Sequence, residues 1–124
     1  MNGKPLRVSG VDRTEDGLLL IGGLTTWRRN GRLDDLLSLA ARFGRTRGFG
    51  DFWMHMLVAE GAAEVATELE VSVWDLAAAQ VVVEEAGGRF TDLSGNARAD
   101  GGSALSSNGI LHEESLGVLQ ARDT

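Results

Sequence analysis

Glycines divide this chain into short apolar runs that switch between two periods, and that alternation constrains the fold more than any single motif. Of 124 residues, 17 are glycine, and many sit where a run ends. Leu6–Val11, LRVSGV, reads as a short strand, and Leu18–Gly23, LLLIGG, as a second, buried one stopped by glycines. Residues 31–44 carry Leu33, Leu36, Leu37, Ala40 and Phe43 at helical spacing and end on Gly44. Arg45–Gly50, RTRGFG, reads as a strand running into a glycine turn. The next helix is DFWMHMLVAEG, with Asp51 near its start and Gly61 past its end. AAEVATELE alternates, with Ala63, Val65, Thr67 and Leu69 on one face and Glu64, Ala66, Glu68 and Glu70 on the other. That is the period of a half-buried strand.

Ser72 and Asp75, three residues apart, have the spacing of a capping box. The helix they open runs to about Ala86 and stops at Gly87 and Gly88. It is apolar nearly all round, which predicts burial within a larger assembly. RFTDLSG reads as a strand and turn and SALSSN as a last strand. Asn108 can cap the final helix, LHEESLGVLQ. Strands alternating with helices place the chain in the α/β class, as a single domain over residues 1–124. The spacing leaves strand order and parallelism open.

Composition removes several functions. Apolar residues make up 43%, enough for a core. No apolar run reaches the roughly 18–20 residues of a membrane span, and no apolar segment follows Met1–Pro5, so the opening does not read as a signal peptide. The net charge is -6 without a dense basic run, which argues against nucleic-acid binding. An acidic chain can still handle a phosphorylated substrate when a cation lies between them. With no cysteine, disulfides, thiolate zinc sites and cysteine nucleophiles are excluded. The same absence fits a reducing compartment, so a cytoplasmic location is expected.

The residues that could carry chemistry each have a plain structural reading. Asp75 can cap a helix or, held rigidly at a helix start, ligate Mg²⁺. Glu64, Glu68 and Glu70 can form a solvated strand face, or one of them can hydrogen-bond a polar or cationic substrate. Asp51, between a glycine turn and a helix, can be an N-cap or attract an ammonium or hydroxyl group. His55, between two methionines, reads as packing. Ser106, Ser107 and His112 invite a triad, but no G-x-S-x-G elbow is present. GFGD is not a dinucleotide fingerprint, and no phosphate-binding G-x-x-x-x-G-K-[ST] occurs.

VWDLAAAQVVVEEAGGRFTDLSG resembles the C-terminal signature of the inositol monophosphatase family, W-D-x-A-A followed by E-A-G-G. The blocks GFGDF and LVAEGAAEVATE and the tail GGSALSSNGILHEESL resemble the histidinol-phosphatases of that family more closely than its inositol enzymes. The likeness runs from about Arg7 to Leu119. It implies a layered mixed β-sheet flanked by helices, the C-terminal half of the family fold. It implies that Asp75 is a ligand of a catalytic Mg²⁺, that Glu68 hydrogen-bonds substrate hydroxyl or amine groups, and that Gly50 and Asp51 line the substrate pocket. An acid at position 51, where inositol enzymes carry a small or hydroxyl residue, suits a cationic substrate such as histidinol phosphate.

The family's other metal ligands come from an N-terminal half bearing D-P-x-D-G-T, and no such motif occurs here. The expectation is therefore the C-terminal half of a Mg²⁺-dependent phosphomonoesterase, foremost a histidinol-phosphatase, otherwise an inositol-1-phosphatase or sugar-bisphosphatase. Mg²⁺ would activate a water and stabilise the leaving oxygen. Alone, the chain is expected to be a poor phosphatase or none, and to pair with a second copy or with the missing half. The reading from another class is a non-catalytic binding or assembly module.

Overall fold

The computed structural model describes residues 6–48 and 52–120. Two expected pocket residues, Gly50 and Asp51, lie outside the described residues, as does the opening Met1–Pro5. The elements run β1 (Leu18–Ile21), α1 (Leu24–Arg29), α2 (Leu33–Ala40), β2 (Arg45–Gly48), α3 (Trp53–Glu60), β3 (Val65–Leu69), α4 (Val73–Glu85), β4 (Arg89–Thr91), β5 (Ser103–Ser107) and α5 (His112–Gln120).

The strands form one mixed sheet in the order β2-β1-β3-β5-β4. The three strands β2, β1 and β3 are parallel, while β5 runs antiparallel to both β3 and β4. Helical crossovers make this possible: α1 and α2 join β1 to β2, and α3 carries the chain from β2 past β1 to β3. The α/β class and the helix-flanked mixed sheet expected from the sequence are thus what the chain forms.

Helices cover both sheet faces. On one, Leu19, Ile21, Val65 and Leu105 pack with Trp27, Leu36, Leu39, Leu116 and Leu119 of α1, α2 and α5. On the other, Leu20 and Ala66 meet Met54 and Val58 of α3, and Ala104 and Phe90 meet Leu76, Ala79 and Val83 of α4. This double cover corrects the half-buried reading of β3. Val65, Ala66, Thr67 and Glu68 are all buried, so alternation of residue type along this strand does not mean alternation of solvent exposure.

One further expectation changes. Leu6–Val11 is not a strand: it lies against the α3–α4 side through Leu6 and Val8, and among the described residues its one backbone bond runs from Val8 N–H to the Ala86 carbonyl. Residues 24–29, left unassigned by periodicity, form α1. Trp27 is buried at its centre, and Arg28 and Arg29 sit in the last turn, where the helix dipole favours cations. Within this chain α4 buries the stripe Leu76, Ala79 and Val83, while Val73, Trp74 and Val81 are exposed.

The double glycine after α4 has a backbone reason. Gly87 has φ +91°, the left-handed conformation that closes a helix, and a Cβ on Gly88 would stand 2.4 Å from the Ser107 carbonyl oxygen. Only bare backbone lets β4 turn in beside β5 at that point.

Candidate functional site

The parallel strand β3 ends beside the start of α4, and a cleft of about 320 Å³ opens there. Gly22, Gly23 and Thr26 form one wall; Glu68 to Ser72 and Asp75 form the other. Clefts at the carboxyl ends of parallel strands are the usual ligand positions of α/β sheets. Three of the acidic residues singled out in the sequence, Glu68, Glu70 and Asp75, line this same cleft.

Asp75 reaches the cleft from the first turn of α4. Ser72 is the N-cap: its Oγ accepts the Asp75 N–H at 3.4 Å and donates to Asp75 Oδ2 at 3.1 Å. The capping is therefore done by Ser72. The Asp75 carboxylate touches only the Ser72 hydroxyl among the described residues, which leaves its other oxygen open to the exposed mouth of the cleft.

The three acidic residues expected on one strand face have three different surroundings. Glu64 is buried, and its Oε1 accepts the Leu18 N–H at 2.7 Å, tying β1 to the start of β3. Glu68 is 7% exposed, and its Oε1 lies 3.2 Å from His55 Nε2. Glu70 leaves the strand with φ +56°, the one non-glycine residue with positive φ among those described. Its carboxylate accepts from Asn30 Nδ2 at 2.5 Å and Arg29 Nη2 at 2.7 Å. The Asn30 amide and the Arg29 guanidinium hold that carboxyl below the usual range.

His55 is packed, as expected, but it also makes polar contacts that periodicity could not show. Its Nδ1 is 2.6 Å from Ser106 Oγ, and its ring meets Phe90 edge-on. Ser107 pairs instead with His112, Oγ to Nδ1 at 2.7 Å, and Thr91 Oγ1 takes the other ring nitrogen at 2.8 Å. Ser106, Ser107 and His112 are each fully buried, so neither serine is presented to a substrate. The triad reading has no support in this arrangement.

The fit of a cation can be judged from the donors. Mg²⁺ takes near-octahedral oxygen ligation. Among the described residues no group of three His, Asp or Glu side chains could hold a metal ion. Asp75 supplies one open carboxylate oxygen, and Glu70 is taken up by Arg29 and Asn30. The described residues by themselves do not make a magnesium site.

Among the described residues, no helix is long and apolar enough to cross a membrane. The chain matches the inositol monophosphatase family over residues 1–123. It is 45% identical over 117 residues to a histidinol-phosphatase of Streptomyces coelicolor, covering 94% of this chain and 44% of that protein. It is 47% identical over 116 residues to a histidinol-phosphatase of Mycobacterium tuberculosis, covering 94% of this chain and 45% of that protein. An inositol monophosphatase structure from Thermotoga maritima superposes with a TM-score of 0.84 at 28% identity, covering 97% of this chain and 46% of the other. The chain spans about half the length of the curated relatives it matches. This chain belongs to the inositol monophosphatase family, and its sheet and helices are those of that fold.

Proposed function

We propose that this chain is the substrate-reading part of a phosphomonoesterase that acts on histidinol phosphate, with Asp75 contributing one ligand to a catalytic Mg²⁺. The observation that carries the reading is that Glu68 and Asp75 line one cleft at the ends of β3 and α4. The identity to two histidinol-phosphatases supports the substrate over an inositol phosphate or a sugar bisphosphate.

The two carboxylates have separate tasks. Glu68 lies buried at the inner end, where a carboxylate attracts an ammonium or accepts from a hydroxyl strongly because water is largely excluded. Asp75 stands at the mouth with an oxygen free for a cation. Gly50 and Asp51 are proposed as further substrate-binding residues, the Asp51 carboxylate adding an acid suited to a cationic substrate. The cation would supply a bound water as nucleophile and charge neutralisation on the phosphate. Its remaining ligands would come from a second polypeptide segment equivalent to the other half of the relatives. The exposed apolar Val73, Trp74 and Val81 on α4 give such a segment, or a second copy, a surface to cover. A cytoplasmic location accords with the absence of cysteine.

The lack of three metal-ligating side chains among the described residues favours one other reading, a module that binds without hydrolysis. Phosphate release from histidinol phosphate and inositol 1-phosphate separates them. The chain would be assayed with Mg²⁺, alone and mixed with a matching N-terminal half. Release that needs both halves, prefers histidinol phosphate and disappears in Asp75→Asn is the expected result. A folded mixture that releases no phosphate from either compound would support the binding module.

A further inference from the structure

Glu68 lines the cleft, but its orientation is set from outside it. On β3, Glu68 and Ala66 point to the same sheet face, and Ala66 is paired with Ser106 of β5. His55 descends from α3 onto this face and spans the diagonal between Ser106 and Glu68. Its Nδ1 is 2.6 Å from Ser106 Oγ, and its Nε2 is 3.2 Å from Glu68 Oε1. Ser106 is fully buried, His55 is 1% exposed and Glu68 7%. His55 does not line the cleft.

We infer that His55, oriented by Ser106, is a positioning residue that fixes the Glu68 carboxylate so that Oε1 is occupied and Oε2 is left for the substrate. The inference rests on the proposed role of Glu68 in reading that substrate. An ionised Glu68 can only accept, so Nε2 carries the proton and donates. In the neutral ring Nδ1 is then an acceptor, and the Ser106 hydroxyl donates to it. The edge contact with Phe90, ring centroids 6.2 Å apart, holds the ring plane. On the far side, the Glu68 side chain is confined by Gly22, where a Cβ would stand 3.2 Å from Oε2. Oε2 accepts no hydrogen bond among the described residues and is not one of their fully buried, unpartnered polar atoms, so on the cleft wall it is open to a donor from a ligand. A flexible glutamate would lose side-chain entropy on binding; this one has already lost it.

Two measurements on the full chain test this. The first is ¹⁵N spectroscopy of the His55 imidazole near neutral pH. It is expected to show Nε2 protonated and Nδ1 bare, and a Glu68→Gln variant to shift the Nε2 resonance. A proton on Nδ1 alone would overturn the inference. The second is calorimetric titration with histidinol, which lacks the phosphate and so needs no metal, on the wild type, His55→Leu and His55→Gln. Gln places an amide N–H as many bonds from Cβ as Nε2. Loss of one charge-assisted hydrogen bond is expected to weaken binding about tenfold in His55→Leu, with recovery in His55→Gln. Thermal unfolding of each variant identifies any that fails to fold, and Ser106→Ala serves in place of a His55→Leu that does. Histidinol binding that is equal in the wild type and a folded His55→Leu would overturn the positioning role and leave the substrate reading standing. A wild type that binds no histidinol while Nε2 is protonated and sensitive to Glu68 would overturn the substrate reading and leave the positioning in place.

Discussion

Gly22 and Glu68 stand so close that no side chain fits between them: a Cβ on Gly22 would lie 2.9 Å from Glu68 Cβ and 3.2 Å from Glu68 Oε2. The approach follows from the sheet, because Gly22 N–H bonds the Thr67 carbonyl at 3.0 Å just past the β1–β3 ladder. Glu68 Cβ is anchored to the backbone and cannot swing away. Gly22→Ala must therefore displace β1 or β3, at a cost of about 1–3 kcal/mol, the usual range for overpacking. Urea unfolding measures it. Histidinol titration of the folded variant should show weaker binding as well, since the carboxylate moves with its strand.

Ser72 caps α4 and Asp75 is the proposed metal ligand, and two substitutions should separate the two roles. Ser72→Ala removes the hydroxyl that accepts the Asp75 N–H, so it should cost about 1 kcal/mol in urea unfolding. Asp75→Asn keeps the backbone N–H and a side-chain oxygen, so stability should change by less than about 0.5 kcal/mol. In the reconstituted phosphatase assay the order reverses. Asp75→Asn should abolish phosphate release, whereas Ser72→Ala should retain most of it.

Glu70 combines a strained backbone with two side-chain partners. Its φ of +56° disfavours any residue with a Cβ, while Arg29 and Asn30 hold its carboxylate. Glu70→Ala keeps the strain and loses the partners; Glu70→Gly loses both. The melting temperatures should rank Gly at or above Glu, with Ala lowest by a few degrees. Because the partnered carboxyl is held below its usual range, the part of stability that Glu70 supplies is present at neutral pH. It is lost as the pH falls through the native value.

These residues also mark how far the sequence could be read. Leu18–Ile21 was legible as an apolar run stopped by glycines, Arg45–Gly48 as a run into a glycine turn, α2 by its helical spacing, and α3 to α5 by the capping residues and glycines that bound them. The segment Leu6–Val11 has the composition of a strand but pairs with no strand among the described residues, and pairing is a tertiary property. The short α1 has too few residues to show a period, although Arg28 and Arg29 at its end were a usable signal. Asp75 and Glu68 were found through a motif spacing. Their meeting in one cleft came from that spacing only once β3 and α4 were joined by the tight Glu70–Ser72 turn. His55 was out of reach. Its partners lie 13 and 51 residues away, brought together by the placement of β5 between β3 and β4.

His112 should make the fold sensitive to mild acid. It opens α5, fully buried, with Thr91 and Ser107 on its two ring nitrogens. Burial first, then the nearby Arg89 guanidinium, lowers its pKa from 6.5 to about 4, with Glu113 opposing. The positive end of the α5 dipole acts in the same direction as Arg89. Native His112 thus stays neutral at pH values where the unfolded chain protonates it. Above about pH 6.5 both states are neutral and the histidine contributes no pH dependence. As the pH falls below that, the unfolded state binds the extra proton and stability declines, by up to about 1.4 kcal/mol per pH unit until the native pKa is reached. Between about pH 7 and about pH 5 the loss should be about 2 kcal/mol, read as a falling urea midpoint. His112→Gln cannot titrate but can still bond Thr91 or Ser107. It should be less stable than the wild type at neutral pH, and its midpoint should fall less over the same interval. Parallel curves for the two proteins would show that His112 is not the group that responds.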